Sequence, residues 1–487
     1  MAIEISKKKI ASSFIWTLLE KIGSQGLQFV ISIYLARILL PEDYGIVALI
    51  QIFIQIANVF VIDGFSTALI QKKESDELDF SSVFWMQSII SILLYILLFV
   101  SAPFIAVFYE QETLTKVIRI FALSFFYTPL HSCQFAYVSK HMLFKVYLIP
   151  SLLCLLISGV LAIFMAKNNL GVYSLVFQQL SYGTLHIFIL LFFVRWLPKF
   201  QFSFSRVKTL FSFGWKFVAT GLLENLFRNI YSLIIGKAYK IDQLSYYNKG
   251  QQFPKLIAEN FTNALRNVLF PSFSSKNDNT GEVKNMLRRS CQVNTFLLLP
   301  LIFGMAAVSE PMVLVLLTEK WEKAIPFFQL CCIYYAFYNI NSTNMSAINA
   351  LGKGDVYLKY EIIKKIVTIT LLCISIPLGV FWMVIGQVIT GIISSILNMI
   401  PSKKYLNYSY SEQIKDFSGA FLSALIMSFA VYFLSQINCS VFNNNLILLI
   451  IQIIFGALIY LVLSVLFKIP GYCYIIEILK KQKRSKN

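Results

Sequence analysis

The chain alternates long apolar runs with short polar segments over its whole length of 487 residues. A transmembrane helix needs about 20 consecutive, mainly apolar residues. Runs of that kind lie near 12–36, 44–68, 82–108, 117–138, 146–166, 172–194, 210–236, 245–270, 290–309, 325–349, 362–380, 382–400, 417–436 and 445–467. The pattern predicts an all-α membrane protein of about fourteen transmembrane helices.

The composition agrees with a membrane protein. Apolar residues make up 57% of the chain and charged residues 14%, whereas soluble domains have roughly 45–50% and 25%. These values exclude a soluble enzyme, a disordered chain and a secreted disulfide scaffold. The eight cysteines form no CxxC pair, and the loops carry no catalytic motif. We therefore expect no catalytic residues, no metal and no cofactor.

The basic residues are distributed unevenly between the loops. With the N-terminus placed inside, the cytoplasmic ends and loops hold 28 Lys and Arg, and the opposite side holds nine. Because positive loops face the cytoplasm, both termini are predicted to be cytoplasmic, as in an inner-membrane protein. We attribute the net charge of +18 to the basic loops that orient the protein in the membrane and to the basic tail 480–486. The tail is predicted to bind anionic membrane lipids. We expect no nucleic-acid partner.

The two halves of the chain show a weak similarity at an offset of about 200 residues. Trp16 opens the first span, and Trp215 opens the seventh. This symmetry predicts a six-helix lobe at 1–200, a second six-helix lobe at 201–405, and two extra helices with a basic tail at 406–487. Parallel repeats of this kind occur in transporters, where the substrate path lies at the interface between the repeats.

Once the basic residues at the span ends are counted with the loops, the charged residues that remain within the predicted spans lie in spans 1, 2, 7 and 8. They follow helical spacing, and a charge in the bilayer is costly unless it faces protein or water. The pattern predicts a hydrated cavity, although i,i+4 neutralisation and snorkelling lysines are alternatives. The polar rows are Lys21, Gln25, Gln28 and Ser32 in span 1; Gln51, Gln55 and Asn58 in span 2; Lys216, Thr220, Glu224 and Arg228 in span 7; and Lys255, Glu259, Thr262 and Arg266 in span 8.

Two further groups of polar residues carry weaker signals. The three histidines, His131, His141 and His186, have no metal-ligand spacing and are expected to be structural. Span 10 is rich in asparagine and serine between residues 339 and 349. That segment fits either part of a transport path or hydrogen bonding between helices, and the sequence leaves both possibilities open.

Four segments resemble bacterial polysaccharide-unit flippases of the Wzx type, in the polysaccharide transporter family of the multidrug/oligosaccharidyl-lipid/polysaccharide exporter superfamily. They are FIWTLLEKIGSQGLQFVISIYLARILLPEDYGIVALIQIF (14–53), DGFSTALIQKKESDELDFSSVFW (63–85), SYYNKGQQFPKLIAENFTNALRNVLFPSFSS (245–275) and NALGKGDVYLK (349–359). The resemblance implies a fourteen-helix bundle of two lobes, with helices 1, 2, 7 and 8 lining a central cavity. It also implies alternating access that moves an undecaprenyl-pyrophosphate-linked oligosaccharide from the cytoplasmic to the periplasmic leaflet, for lipopolysaccharide, capsule or exopolysaccharide synthesis.

On this basis we expect some of the cavity residues to bind the substrate and others to bind the coupling ion. The predicted substrate-binding residues are Arg228 and Arg266 as phosphate anchors, with Lys21, Lys255, Gln25, Gln28, Gln51 and Asn58. The predicted ion-coupling carboxylates, for H⁺ or Na⁺, are Glu224, Glu259 and Asp63; Glu20 is less favoured because it lies beside the polar row. Other polysaccharide-assembly proteins are expected as partners.

Two alternative functions are compatible with the sequence. A drug or metabolite extruder of the same fold, coupled to Na⁺ or H⁺, would favour an acidic, aromatic cavity, whereas these spans hold five basic and four acidic residues. A membrane polysaccharide polymerase would need a large periplasmic loop with catalytic side chains. Every predicted outer loop is short.

Overall fold

A computed structural model describes residues 7–484 except 73, 195, 275–278 and 438–443. Within these ranges the chain is helical, without strands, and short 3-10 segments lie at Ala122–Phe126, Glu319–Ala324 and Ile376–Leu378. The helices are α1 (Lys7–Ile38), α2 (Pro41–Ile62), α3 (Phe65–Gln71), α4 (Glu77–Phe108), α5 (Thr113–Phe121), α6 (Thr128–His141), α7 (Lys145–Lys167), α8 (Val172–Val194), α9 (Phe204–Ala238), α10 (Ile241–Ser274), α11 (Thr280–Ala307), α12 (Ser309–Leu317), α13 (Ile325–Ala350), α14 (Gly354–Ser375), α15 (Val380–Leu406), α16 (Tyr410–Leu434), α17 (Asn445–Leu466) and α18 (Pro470–Arg484).

The predicted spans all overlap helices of the structure. Eight helices of the described ranges are long and apolar enough to cross a membrane. The all-α, multi-pass class is therefore confirmed, while the number fourteen stays a prediction. The helices α1, α9 and α10, which carry most of the intramembrane charges, are outside that set of eight.

The chain divides into two compact units, Met1–Ser245 and Tyr246–Asn487, called here the N-terminal and C-terminal units. Helix α10 begins in the first unit and continues in the second. The predicted division at residues 200 and 405 stays a prediction.

Corresponding helices recur at a spacing near 200 residues. The ends of α1 and α9 are 200 residues apart, and so are the starts of α2 and α10. The same capping chemistry recurs at the next long helices. The Asp76 side chain accepts a hydrogen bond from the Asp79 amide at the start of α4, and the Asn279 side chain accepts one from the Glu282 amide at the start of α11. An Asx side chain at this position stabilises a helix start.

Ion pairs hold one end of the N-terminal unit together. Asp79 is fully buried, and its carboxylate binds Lys72 and, at 3.1 Å, Arg206. Arg206 also contacts Asp76 at 3.0 Å, and the Lys140 ammonium donates to the Lys72 carbonyl at 2.8 Å. Three loops that the charge pattern predicts to be cytoplasmic are therefore neighbours.

The opposite end of this unit gathers loops that are predicted to be periplasmic. Lys237, near the end of α9, pairs with Glu110 at 3.0 Å. The Ser245 hydroxyl donates to the Pro41 carbonyl. This arrangement supports the predicted alternation of inner and outer loops.

The C-terminal unit has a comparable ionic cluster between α11 and α16. Arg288 binds the largely buried Asp416 through two nitrogens, at 2.7 and 3.1 Å. Lys284 contacts Glu412 at 3.0 Å, and the Tyr408 hydroxyl donates to Asp416 at 2.8 Å. The basic tail, predicted as a lipid tether, begins within α18.

Polar residues of α13 form hydrogen bonds with α15. The Asn398 amide donates to the Asn341 side chain at 3.1 Å, and the Ser402 hydroxyl donates to Asn344 at 3.0 Å. These bonds join α13 to α15. The structure therefore favours interhelical hydrogen bonding for this part of span 10, one of the two possibilities that the sequence left open.

Candidate functional site

The polar row of α1 lies on an exposed face of the helix. Lys21, Gln25 and Gln28 are exposed. Another face of α1 is buried against α7, where a Cβ at Gly23 would stand 3.3 Å from Leu152, and Ile31 lies directly on Gly159. The lack of a side chain at Gly159 lets the two helices approach closely. Packing against α7 thus leaves the polar row accessible.

Helix α9 packs on α2 through glycines and presents charges beside the contact. A side chain at Gly214 would overlap the carbonyl oxygen of Gly64, which follows the end of α2, and a Cβ at Gly221 would stand 2.6 Å from Asp63 Oδ2. Glu224 and Arg228 are exposed. Neither is in an ion pair within the described ranges, although they are i,i+4 neighbours. The neutralising pair considered from the sequence is not formed.

The polar residues of α2 meet those of α9. The Asn229 amide donates to Gln55 Oε1 at 3.4 Å, and the carboxylates of Asp63 and Glu224 interact electrostatically. Asp63 lies at the break between α2 and α3. Gln51 and Asn58 are half-buried on α2. The structure thus brings together two of the three predicted ion-coupling carboxylates.

The remaining predicted residues belong to α10 in the C-terminal unit. Lys255 and Glu259 are half-buried, and Thr262 is buried. Glu259 interacts electrostatically with Tyr335 of α13. No ion pair joins Lys255 to Glu259 in the part of the chain that the structure describes. The side chain of Arg266 lies outside the described residues.

A group of aromatic and titratable side chains in the N-terminal unit was not predicted. The rings of His131 and His186 lie 5.3 Å apart, and those of Tyr147 and Tyr182 lie 5.4 and 5.6 Å from His186. These residues come from α6, α7 and α8. Their separation along the chain leaves no local sequence signal that could have joined them.

The accessible residues can bind an anionic, hydroxyl-rich ligand. Lysine and arginine supply charge to an anion, while glutamine and asparagine amides hydrogen-bond hydroxyl groups. Among the described residues no group of three or more His, Cys, Asp or Glu could hold a metal ion.

Comparison with known proteins identifies the family. A family model described as "Polysaccharide biosynthesis protein" matches residues 34–326, which is more than half of the chain. The chain belongs to this family of polysaccharide biosynthesis proteins.

Several characterised proteins are similar to this chain. The succinoglycan biosynthesis transport protein ExoT of Rhizobium meliloti is 25% identical over 96% of this chain and 94% of its own. The lipopolysaccharide biosynthesis protein WzxC of Escherichia coli is 24% identical over 87% of this chain and 88% of its own. Among solved structures, the lipid II flippase MurJ in an inward closed conformation superposes with a TM-score of 0.76, at 19% identity, over 93% of this chain and 98% of its own.

These findings bear on the predicted family and class. The resemblance to Wzx-type flippases is confirmed, and so is a transport role in polysaccharide biosynthesis in place of an enzymatic one. The likeness to MurJ shows a shared fold.

Proposed function

We propose that this protein flips an undecaprenyl-pyrophosphate-linked oligosaccharide from the cytoplasmic to the periplasmic leaflet of a bacterial inner membrane by alternating access. The observation that carries the proposal is the exposed polar row of α1 and the exposed charges of α9, on helices of a polysaccharide biosynthesis protein. Both helices coincide with predicted membrane spans. A charged face that is not used for packing needs water or a polar ligand inside a bilayer.

In this proposal, arginine and lysine side chains bind the pyrophosphate head group of the lipid. A pyrophosphate carries about two negative charges, and the planar arginine fork suits phosphate oxygens. Arg228 is exposed and has no ion-pair partner within the described ranges, so its charge is available. Arg266 is proposed as the second anchor, with Lys21 and Lys255 adding positive potential. Gln25, Gln28, Gln51 and Asn58 are proposed to bind sugar hydroxyls.

The coupling carboxylates are proposed to be Asp63, Glu224 and Glu259, acting with H⁺ or Na⁺. The position of Asp63 beside Gly221, one turn before Glu224 on α9, and the electrostatic effect of Glu224 on Asp63 support the first two. Two neighbouring carboxylates repel each other, and a bound cation or proton relieves that repulsion. Binding of the ion in one conformation only would then bias the transport cycle.

The topology is proposed as fourteen transmembrane helices with both termini in the cytoplasm. The ionic cluster of Lys72, Asp79 and Arg206 supports this arrangement, because it joins loops that the charge pattern assigns to one side. Other polysaccharide-assembly proteins are proposed as partners.

Deletion of the gene, followed by complementation, tests the proposed function in cells. Cells without the protein should retain the lipid-linked oligosaccharide in the inner leaflet and lose surface glycan, and the wild-type gene should restore export. A drug extruder would instead leave surface glycan unchanged and alter drug resistance. That result would contradict the proposal.

A further inference from the structure

The connection between α8 and α9, residues 196–203, is bound along the first turns of α4. Three hydrogen bonds join its backbone to side chains of α4: from the Lys199 amide to Ser81 Oγ at 3.0 Å, from the Ser203 amide to Ser82 Oγ at 3.0 Å, and from the Trp85 indole to the Lys199 carbonyl at 2.9 Å. Helix α4 is one of the helices that are long and apolar enough to cross a membrane. The connection therefore follows the side of a membrane helix.

The contacts with α4 indicate how deep the connection lies. The 32 residues of α4 extend over about 48 Å, slightly more than the roughly 40–45 Å of a bilayer with its head groups. When α4 is centred in the bilayer, its first residue, Glu77, lies at the water surface. Trp85 lies about 12 Å further along the helix. That position is close to the boundary between head groups and acyl chains.

Neighbouring side chains of the connection point to different levels of α4. The Lys199 ammonium binds Glu77 at 2.6 Å, and both side chains of this pair are about half exposed. A lysine at a membrane surface directs its charge to water in this way. The Phe200 ring instead lies on Trp85, with the ring centroids 5.2 Å apart. The charge is therefore at the water surface, and the aromatic ring is at the deeper level.

The exposure of Phe200 favours lipid as its environment. Its side chain is 93% exposed, whereas Trp196, at the other end of the connection, is buried against Phe80 of α4 with ring centroids 5.8 Å apart. Aromatic side chains are enriched at the membrane interface. Irregular backbone at membrane depth needs polar partners within the protein, and the three hydrogen bonds to α4 supply them.

We propose that the connection 196–203 is an interfacial anchor, in which Phe200 and Trp85 bind phospholipid at the boundary between head groups and acyl chains. The leaflet is the one that the charge pattern predicts to be cytoplasmic. The anchor fixes the start of α9 relative to the bilayer surface. Its contact with lipid does not depend on the proposed transport function.

Fluorine nuclear magnetic resonance of the full chain in lipid nanodiscs tests the anchor. Trifluoromethyl-phenylalanine would replace Phe200, whose exposure leaves room for the added group. A phospholipid with a nitroxide near the head of its acyl chain should broaden this signal several-fold more than a water-soluble gadolinium chelate does. The same probe in place of Phe192, 81% exposed on α8, is the lipid-facing control, and in place of the exposed Glu74 it is the water-facing control.

Two results would overturn the proposal. Stronger broadening by the gadolinium chelate, as expected at Glu74, would place the Phe200 ring in water. Weak broadening by both agents would show that protein covers the ring, as in a contact with a second copy of the chain or with another protein.

Variants of α4 test what holds the connection in place. Ser81→Ala combined with Ser82→Ala leaves two backbone amides without their partners, so the Phe200 probe should become more accessible to the gadolinium chelate. The probe at Phe192 should keep its wild-type broadening, which shows that α8 remains in the membrane. Ser88→Ala is the matched control, because the Ser88 hydroxyl donates to a carbonyl of its own helix at 2.8 Å. Unchanged broadening of the Phe200 probe in the double variant would refute the role of the two serines.

Discussion

Gly214 of α9 lies so close to Gly64, in the break between α2 and α3, that a side chain at 214 would overlap the Gly64 carbonyl oxygen. A Cβ at Gly64 would in turn stand 2.7 Å from Val218. The absence of side chains at both positions sets the distance between α9 and the break that joins α2 to α3, and both of these segments carry candidate transport residues.

Replacement of Gly214 by alanine should therefore destabilise the protein. We expect a loss of about 1–3 kcal/mol, typical of overpacking at a tight contact, and a lower melting temperature in detergent. Gly26→Ala on α1 is the matched control, because a Cβ there has no neighbour within 4 Å. An unchanged melting temperature in Gly214→Ala would contradict the close approach of Gly214 to Gly64.

The proposed anchor is tested at Arg228. Arg228→Ala should reduce glycan export about tenfold or more at normal protein levels, and Arg228→Lys should restore part of it, because lysine keeps the charge but loses the bidentate geometry. Arg266→Ala should act in the same direction. Lys208→Ala, an exposed position near the start of α9, is the control.

A double variant tests the alternative role of Arg228. If Arg228 merely neutralised Glu224, changing both residues to alanine would restore the export lost in Arg228→Ala. We expect no such rescue, since the structure forms no ion pair between them in its described part. Full export in a variant lacking both Arg228 and Arg266 would contradict the anchor role.

The buried carboxylate of Asp79 is expected to stabilise the N-terminal unit. Asp79→Asn removes the charge that binds Lys72 and Arg206, and should cost about 1–3 kcal/mol. Glu77→Gln disrupts only the exposed pair with Lys199 and should cost no more than about 1 kcal/mol. Equal melting temperatures for the two variants would contradict a larger contribution of the buried Asp79 carboxylate than of the exposed pair.

The ionic cluster around Asp79 also predicts that the stability of the fold depends on pH in the acidic range. The Asp79 backbone amide, which donates to Asp76, is the main cause that holds the pKa of Asp76 below its ordinary value, and Arg206 acts in the same direction. A carboxyl whose pKa is depressed by folding stabilises the fold above its unfolded pKa of about 3.9. That contribution is lost as the pH falls through the folded pKa.

Thermal melting between about pH 2.5 and pH 6 checks this prediction. The melting temperature of the wild type should fall at the acid end, and Asp76→Asn should weaken that fall, since asparagine also caps a helix but does not titrate. Glu74→Gln, at an exposed nearby position, should retain the wild-type profile. The same acid dependence in Asp76→Asn would contradict the assignment.

Reporter fusions test the proposed topology. A reporter attached after Asn487 should be active only in the cytoplasm, and fusions near Glu112 and Glu319 should report the periplasm. Periplasmic activity at the C-terminus would require an odd number of spans and would undo the assignment of repeats.

Helical periodicity made much of this architecture predictable. Apolar run length located the helices, and the spacing of Lys21, Gln25 and Gln28 identified a face that the structure leaves exposed. Sequence spacing also suggested an ion pair between Glu224 and Arg228, which the structure lacks, because proximity along a helix does not require exposed side chains to meet.

Other features depended on partners far away in the chain. The break at Asp63 and Gly64 lies inside one apolar run, so hydropathy alone did not reveal it. The sequence could not show whether the polar residues of α13 line a transport path or form hydrogen bonds between helices. The position of α15 was needed, because Asn341 contacts Asn398 only in the folded unit. The contact of His131 with His186 likewise has no local pattern.

Transport by the purified full chain in proteoliposomes tests the central claim most directly. Vesicles would contain the oligosaccharide-pyrophosphate lipid extracted from the producing cells, and its transfer to the outer leaflet would be followed by digestion with an added glycosidase. Wild-type protein should accelerate exposure of the glycan well above protein-free vesicles, and Arg228→Ala should slow it about tenfold. Equal exposure in wild-type and protein-free vesicles would contradict the account.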